Sequence, residues 1–178
     1  RDVAVTGVQT CALPISLISA GALVAQFSPK VSFDQCNVTD NNAAGSGSAL
    51  YVAQGADVTF KNGEIARNTS GAEGAIFLDT GGNPDPTTLL IEDTPITDHV
   101  SQTFGVMNLR FTHGSAEFRR CVIERNLAMN GSAGFNVEWG GALTLDACAL
   151  SVNTLVTGQA RADEVPPGSA SRETLASI

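Results

Sequence analysis

A block of the form apolar-x-apolar-x-x-small-x-apolar-x-x-Asn occurs five times in this chain. The first two copies are Val31-x-Phe33-x-x-Cys36-x-Val38-x-x-Asn41 and Val58-x-Phe60-x-x-Gly63-x-Ile65-x-x-Asn68. The third is Leu89-x-Ile91-x-x-Thr94-x-Ile96-x-x-His99, with His in place of Asn. The last two are Ala116-x-Phe118-x-x-Cys121-x-Ile123-x-x-Asn126 and Leu143-x-Leu145-x-x-Cys148-x-Leu150-x-x-Asn153. The anchors Phe33, Phe60, Ile91, Phe118 and Leu145 are separated by 27, 31, 27 and 27 residues. A fixed period of this size means stacked repeats, each burying its apolar side against its neighbours.

Inside each block apolar and polar positions alternate, skip one residue and alternate again. Period two is strand periodicity, and the skipped residue marks a bend. Small and polar residues follow, then a second apolar run: Ala49-Leu50-Tyr51-Val52, Ala75-Ile76-Phe77-Leu78, Val106-Met107-Asn108-Leu109 and Phe135-Asn136-Val137. No segment carries the i, i+3, i+4 stripe of a helix. The pattern predicts an all-β fold, a right-handed parallel β-helix (a solenoid) of about five coils of about 27 residues.

In a parallel stack, equivalent residues of successive coils lie about 4.8 Å apart. The position after the anchor reads Asp34, Lys61, Glu92, Arg119, Asp146 and alternates in sign at every step. The position before the Asn reads Asp40, Arg67, Asp98, Arg125, Val152 and alternates until the last coil. The first set is expected to form one outward-facing column, opposite charges attracting between coils. The recurrent Asn is expected to form an amide ladder and to supply the left-handed conformation of a bend. The four extra residues of the third repeat are placed in Gly81-Gly82-Asn83-Pro84-Asp85-Pro86, as a protruding loop.

Residues 5–15 resemble one reading frame of a sequencing-library adapter translated as protein, so residues 1–16 are set apart as non-native. Residues 156–178 have linker composition, and another coil would put its anchor near Arg172, which cannot fill an apolar column. The solenoid is therefore expected over 17–155, as an internal piece of a longer product that continues into further coils.

A net charge of −8 argues against nucleic acid and anionic membrane as partners, and there is no apolar run long enough to span a bilayer. Trp139, beside Gly140-Gly141, is the one obvious aromatic platform for a sugar, and a turn-packing aromatic is the alternative. Cys121 and Cys148 occupy one repeat position in adjacent coils. They read as small apolar residues filling a narrow inward column, as Cys36, Gly63 and Thr94 do, with a disulfide as the alternative. Cys36 is too many coils away for a three-thiolate metal site. The triplets beginning at Asn37, Asn68 and Asn130 match the glycosylation signal; Asn68 should be held in the ladder, which leaves Asn130 as the one to test in a eukaryotic host.

Ile65-x-x-Asn68-Thr69 followed by Gly74-Ala75-Ile76-Phe77 resembles the repeat of right-handed parallel β-helix proteins of the pectin-lyase-like superfamily, and in particular polymorphic-outer-membrane-protein-type repeats, which carry Asn followed by Gly-Gly-Ala-Ile. Asn41 with Ser48-Ala49-Leu50-Tyr51 and Asn126 with Gly134-Phe135 are looser copies, and here Glu73-Gly74 stands for Gly-Gly. The resemblance implies a secreted or surface-displayed protein of the adhesion type.

The superfamily also contains polysaccharide lyases and hydrolases. The Asn-Thr-Asp, Asp-Asp, Gly-His-Gly and Arg-x-Lys set of its polygalacturonate hydrolases is not present in full, and Phe111-Thr112-His113-Gly114 is the nearest approach. Glu92-Asp93 and Arg119-Arg120 in adjacent coils could share an outer face as a calcium-lyase site would need, but their alternating signs read as structural pairing. His99 and His113 are isolated. No catalytic, cofactor-binding or metal-ligating residue is assigned, and no cofactor is expected. The expected function is a non-enzymatic extracellular or cell-surface segment contacting a glycan or a surface protein. The alternative is a fragment of a carbohydrate-active β-helix enzyme whose catalytic coils lie elsewhere.

Overall fold

The computed structural model describes residues 2–10, 15–16, 22–81, 84–110 and 113–156, the first two stretches as backbone only. All secondary structure among these residues is β-strand, and every strand pairing is parallel. The chain winds as a β-solenoid of about five turns, each contributing a strand to four ladders.

The first ladder runs through Lys30–Thr39, Asp57–Lys61, Thr87–Glu92, Gly114–Arg119 and Ala142–Asp146. The second takes the far end of Lys30–Thr39, then Glu64–Ala66, Pro95–Thr97, Val122–Glu124 and Ala149–Ser151. A third, two residues wide, includes Asn42–Ala43, Thr69–Ser70, Val100–Ser101, Leu127–Ala128 and Thr154–Leu155. The fourth is Leu23–Ala25, Leu50–Ala53, Ile76–Asp79, Met107–Arg110 and Phe135–Val137.

The register is that of the repeat. Phe33 pairs with Phe60, Phe60 with Ile91, Ile91 with Phe118 and Phe118 with Leu145. These anchors stack inside the coil: Phe60, Ile91 and Phe118 are fully buried, and the Phe33 and Phe60 rings lie 6.0 Å apart. Each such side chain contributes about 1.5–3 kcal/mol by leaving water. Val38, Ile65, Ile96 and Ile123 line the second ladder's inner side, and Leu50, Ile76, Met107 and Leu109 the fourth's.

Two columns of left-handed residues make the corners. One is Gln35, Asn62, Asp93, Arg120 and Ala147, between the first and second ladders; the other is Asp40, Arg67, Asp98, Arg125 and Val152, between the second and third. All ten have φ between 50° and 61°. The bend therefore falls on the residue before the recurrent Asn and not on the Asn itself, a correction to the sequence expectation. The reason is that the Asn side chain must point inward to reach its neighbours, so the turn happens one residue earlier. Left-handed backbone costs roughly 1 kcal/mol for a residue with a Cβ. The bends are offset by continued pairing, because Asp40, Arg67 and Asp98 each donate their N–H to a carbonyl of the next coil at 3.0–3.2 Å.

The third coil's extra length lies where expected, between Asp79 and Thr87. Gly81 and Pro84–Pro86 are exposed, while Gly82 and Asn83 lie outside the described residues. Toward the amino terminus the strands reach further than residue 17. Asp2–Thr10 pairs with Lys30–Thr39 and Ile15–Ser16 with Asn42–Ala43. An open parallel edge accepts any extended chain through backbone groups alone, so this pairing is silent on where those residues come from. The register of Asp2–Thr10 shifts between Thr6 and Gln9, unlike that of the later coils. Arg172 and the rest of 157–178 lie outside the described residues.

Candidate functional site

The buried side of the second corner carries the ladder. The backbone N–H of Asn41 donates to Asn68 Oδ1 at 3.0 Å, that of His99 to Asn126 Oδ1 at 3.0 Å, and that of Asn126 to Asn153 Oδ1 at 3.1 Å. His99 keeps the chain unbroken: its Nδ1 accepts the Asn68 N–H at 3.1 Å. The amide nitrogens of Asn68, Asn126 and Asn153 each donate to the Val38, Ile96 or Ile123 carbonyl of the preceding coil. At His99 the equivalent acceptor is the Ile65 carbonyl, which acts on the ring but does not close to a normal hydrogen bond with Nε2. Burial pushes the His99 pKa down to about 4, against the opposing pull of Asp98. His99 is thus a neutral structural residue.

Two outer rims carry charge. Asp34, Lys61, Glu92, Arg119 and Asp146 do pair in register, coil on coil. Their side chains follow the column only in part. Lys61 Nζ meets Glu92 at 2.6 Å, but Arg119 turns back within its own strand to Glu117 at 2.7 Å. Arg120, from the corner column, takes the place left open: it holds Glu92 at 2.6 Å and grips both oxygens of Asp93 at 2.8 and 2.7 Å. Asp34 accepts from Asn62 Nδ2 at 2.8 Å. Lys61 and then Arg120 hold the Glu92 carboxyl below the usual carboxylate range, and Arg120 does the same to Asp93. At the other rim Arg67 forks onto Asp40 at 2.9 and 3.0 Å, and Arg125 onto Asp98 at 2.8 and 3.0 Å. Arg125 also contacts Glu124. Carboxylates gripped this way stay ionised and are poor proton carriers near neutral pH.

The outer side of the fourth ladder differs. Val24, Tyr51, Phe77, Asn108 and Asn136 form one column. Tyr51 and Phe77 rings lie 5.3 Å apart, the Arg110 guanidinium stands 5.9 Å above Phe77, and Asn136 Nδ2 donates to Asn108 Oδ1 at 2.9 Å and to Glu138 at 2.7 Å. Asn108 Nδ2 meets no oxygen, and the register puts the Phe77 ring beside it in the neighbouring coil. Arg110 bridges Glu73 at 3.4 Å and Glu138 at 3.7 Å. Glu73, which stands where the resembled motif has glycine, thus supplies an ion pair across coils. Burial, with Asp79 nearby, raises the Tyr51 pKa. This face was not singled out from the sequence. The alternation within Leu50-Tyr51-Val52 was the available signal, since it turns Tyr51 outward while its neighbours are buried.

Of the other candidates, Trp139 is 59% exposed and sits at a left-handed turn. His113 is an exposed turn residue at φ 70°, and Phe111 and Thr112 lie outside the described residues. Cys36, Cys121 and Cys148 are thiols, the first two buried and the third half-buried. Cys11 lies outside the residues whose side chains are described. Gly63 is required in its place: a Cβ there would stand 1.8 Å from the Cys36 carbonyl oxygen. Asn68 is buried and Asn130 exposed, with Asn130 Nδ2 donating to Gln102 O at 3.3 Å. Among the described residues no group of three or more His, Cys, Asp and Glu is placed to hold a metal ion, and no helix is long and apolar enough to cross a membrane. Compared with family models, curated proteins and solved structures, the chain matches none.

Proposed function

We propose that this chain is a non-enzymatic segment of a larger secreted or surface-displayed protein, a right-handed β-helix of the pectin-lyase-like kind that continues into further coils and contacts a glycan or a surface protein. Residues 5–15 are, in this reading, translated adapter and take no part in the function. The observation that carries it is the state of the acidic groups. Glu92, Asp93, Asp98 and Asp40 are gripped by basic side chains of neighbouring coils instead of converging on an open cleft. A polysaccharide hydrolase or lyase needs a carboxylate or base free to move a proton, or carboxylates free for calcium. The fourth ladder's outer face offers what contact requires: the half-buried Asn136 amide, a bridged Arg110 and a half-buried Tyr51, on strands paired in parallel register.

The test has two arms. The purified chain is incubated with polygalacturonate and other acidic and neutral polysaccharides, and release of unsaturated or reducing ends is followed. It is also applied to an array of glycans and immobilised surface proteins, beside an Asn136→Ala/Arg110→Ala variant. Binding without product release, weakened in the variant, is the expected result. Sustained product release, or retention on no surface at all, refutes the proposal.

A further inference from the structure

We propose that Cys121 and Cys148 form a latent disulfide that staples the last described coil to the one before it. The two residues occupy one position in adjacent coils, and the backbone between them is already joined, the Ala149 N–H donating to the Cys121 carbonyl at 2.9 Å. Their side chains are oriented alike. Cys121 Sγ meets the Ile91 carbonyl at 3.5 Å, and Cys148 Sγ meets the Phe118 carbonyl, one coil on, at 3.3 Å. Ile91 and Phe118 are paired anchors, so both sulfurs enter the same inward column. Burial first, and then the neighbouring Cys148 thiol, raise the pKa of Cys121.

Parallel neighbours lie about 4.8 Å apart, inside the roughly 4.4–6.8 Å Cα range that a disulfide spans. In-register parallel positions hold their Cβ atoms slightly too far apart, so one strand must tilt inward. Of the two coils, the one carrying Cys148 is the less tightly packed: Leu143, Leu145 and Cys148 are only partly buried and Ala142, Ala149, Leu150 and Val152 are exposed, whereas Ala116, Phe118 and Cys121 are buried.

The chemistry is thiol–disulfide exchange with a low-molecular-weight disulfide. The Cys148 thiolate attacks one sulfur of oxidised glutathione, and one glutathione leaves as thiolate. That thiolate takes the Cys121 proton. The Cys121 sulfur then attacks Cys148 and expels the second glutathione. Two protein thiols are oxidised and one glutathione disulfide is reduced to two thiols. Burial pushes the Cys121 thiol up to about 12, so the second step is the slow one and quickens as pH rises.

The test uses the whole chain, incubated natively with oxidised glutathione, alkylated and mapped by mass spectrometry. A Cys148→Thr variant serves as comparison, since Thr94 fills the same column position elsewhere. A Cys121–Cys148 peptide pair lighter by two hydrogens is expected, with Cys36 alkylated only after unfolding. The midpoint of thermal unfolding should rise by roughly 5 °C or more and fall back on reduction, with no change in the variant. A stable glutathione adduct on Cys148, a link through Cys11 or Cys36, or three unreacted native thiols would overturn the proposal.

Discussion

His99 carries the sharpest pH prediction. The ladder requires an unprotonated Nδ1, because that atom accepts the Asn68 N–H, and burial holds the ring's pKa near 4 instead of 6.5. In the unfolded chain the same ring takes a proton as pH falls through 6.5. Between these values the unfolded state binds more protons than the folded one, so stability rises with pH through the window and is lost as pH falls. A drop from 6.5 to about 4, at about 1.4 kcal/mol per factor of ten in proton affinity, amounts to about 3 kcal/mol. His99→Asn removes the titrating group and restores the amide of the other coils, which bonds both the neighbouring N–H and the preceding carbonyl. Urea unfolding of both proteins from pH 7.5 down to pH 4 should give similar stabilities at the top of the range. The wild type should lose about 3 kcal/mol more by the bottom. Parallel stability curves through that window would contradict this role for His99, since the carboxylates held by the Arg forks are common to both proteins and cancel in the comparison.

Three further outcomes follow from the stack. Gly63→Ala forces a Cβ to within 1.8 Å of the Cys36 carbonyl and should cost at least about 2 kcal/mol in chemical denaturation, although Cys and Thr occupy that position in other coils. Asn126→Ala leaves the buried His99 N–H without its acceptor and should cost about 1–3 kcal/mol, whereas Asn130→Ala, at an exposed position, should be nearly neutral. A double-mutant cycle on Asp40 and Arg67, both largely solvated, should give a coupling within the ~0.2–1 kcal/mol of exposed ion pairs, falling as salt is added.

Periodicity made the fold legible because parallel stacking turns sequence equivalence into spatial contact. Phe33, Phe60, Ile91, Phe118 and Leu145 had to meet if the 27-residue step was a coil, and they do. The alternating charge column was legible as a backbone register but not as a set of pairs. Whether Arg119 reaches Glu92 or folds back to Glu117 depends on rotamers that solvent barely constrains, and Arg120 competes from the corner for the same carboxylate. The corner's position was obscured for a different reason. Left-handed backbone usually shows itself through Gly or Asn, yet here Arg67 and Arg125 adopt it while their N–H groups bond to the Thr97 and Ser151 carbonyls of the next coil. The outer face around Tyr51, Phe77 and Asn108 escaped notice because its residues look like core. Phe77 is 3% exposed although it points away from the interior.

Coil-on-coil register over the whole stack underlies every contact described above. The distance between Gln35 and Ala147, exposed residues four coils apart at one corner, tests it. Nitroxide labels placed there by a chemistry orthogonal to the native thiols can be measured by pulsed electron–electron spin resonance. Four strand spacings predict a narrow distribution centred near about 19 Å, broadened by the label arms. A broad distribution, or a centre beyond about 30 Å, would contradict the stacked register.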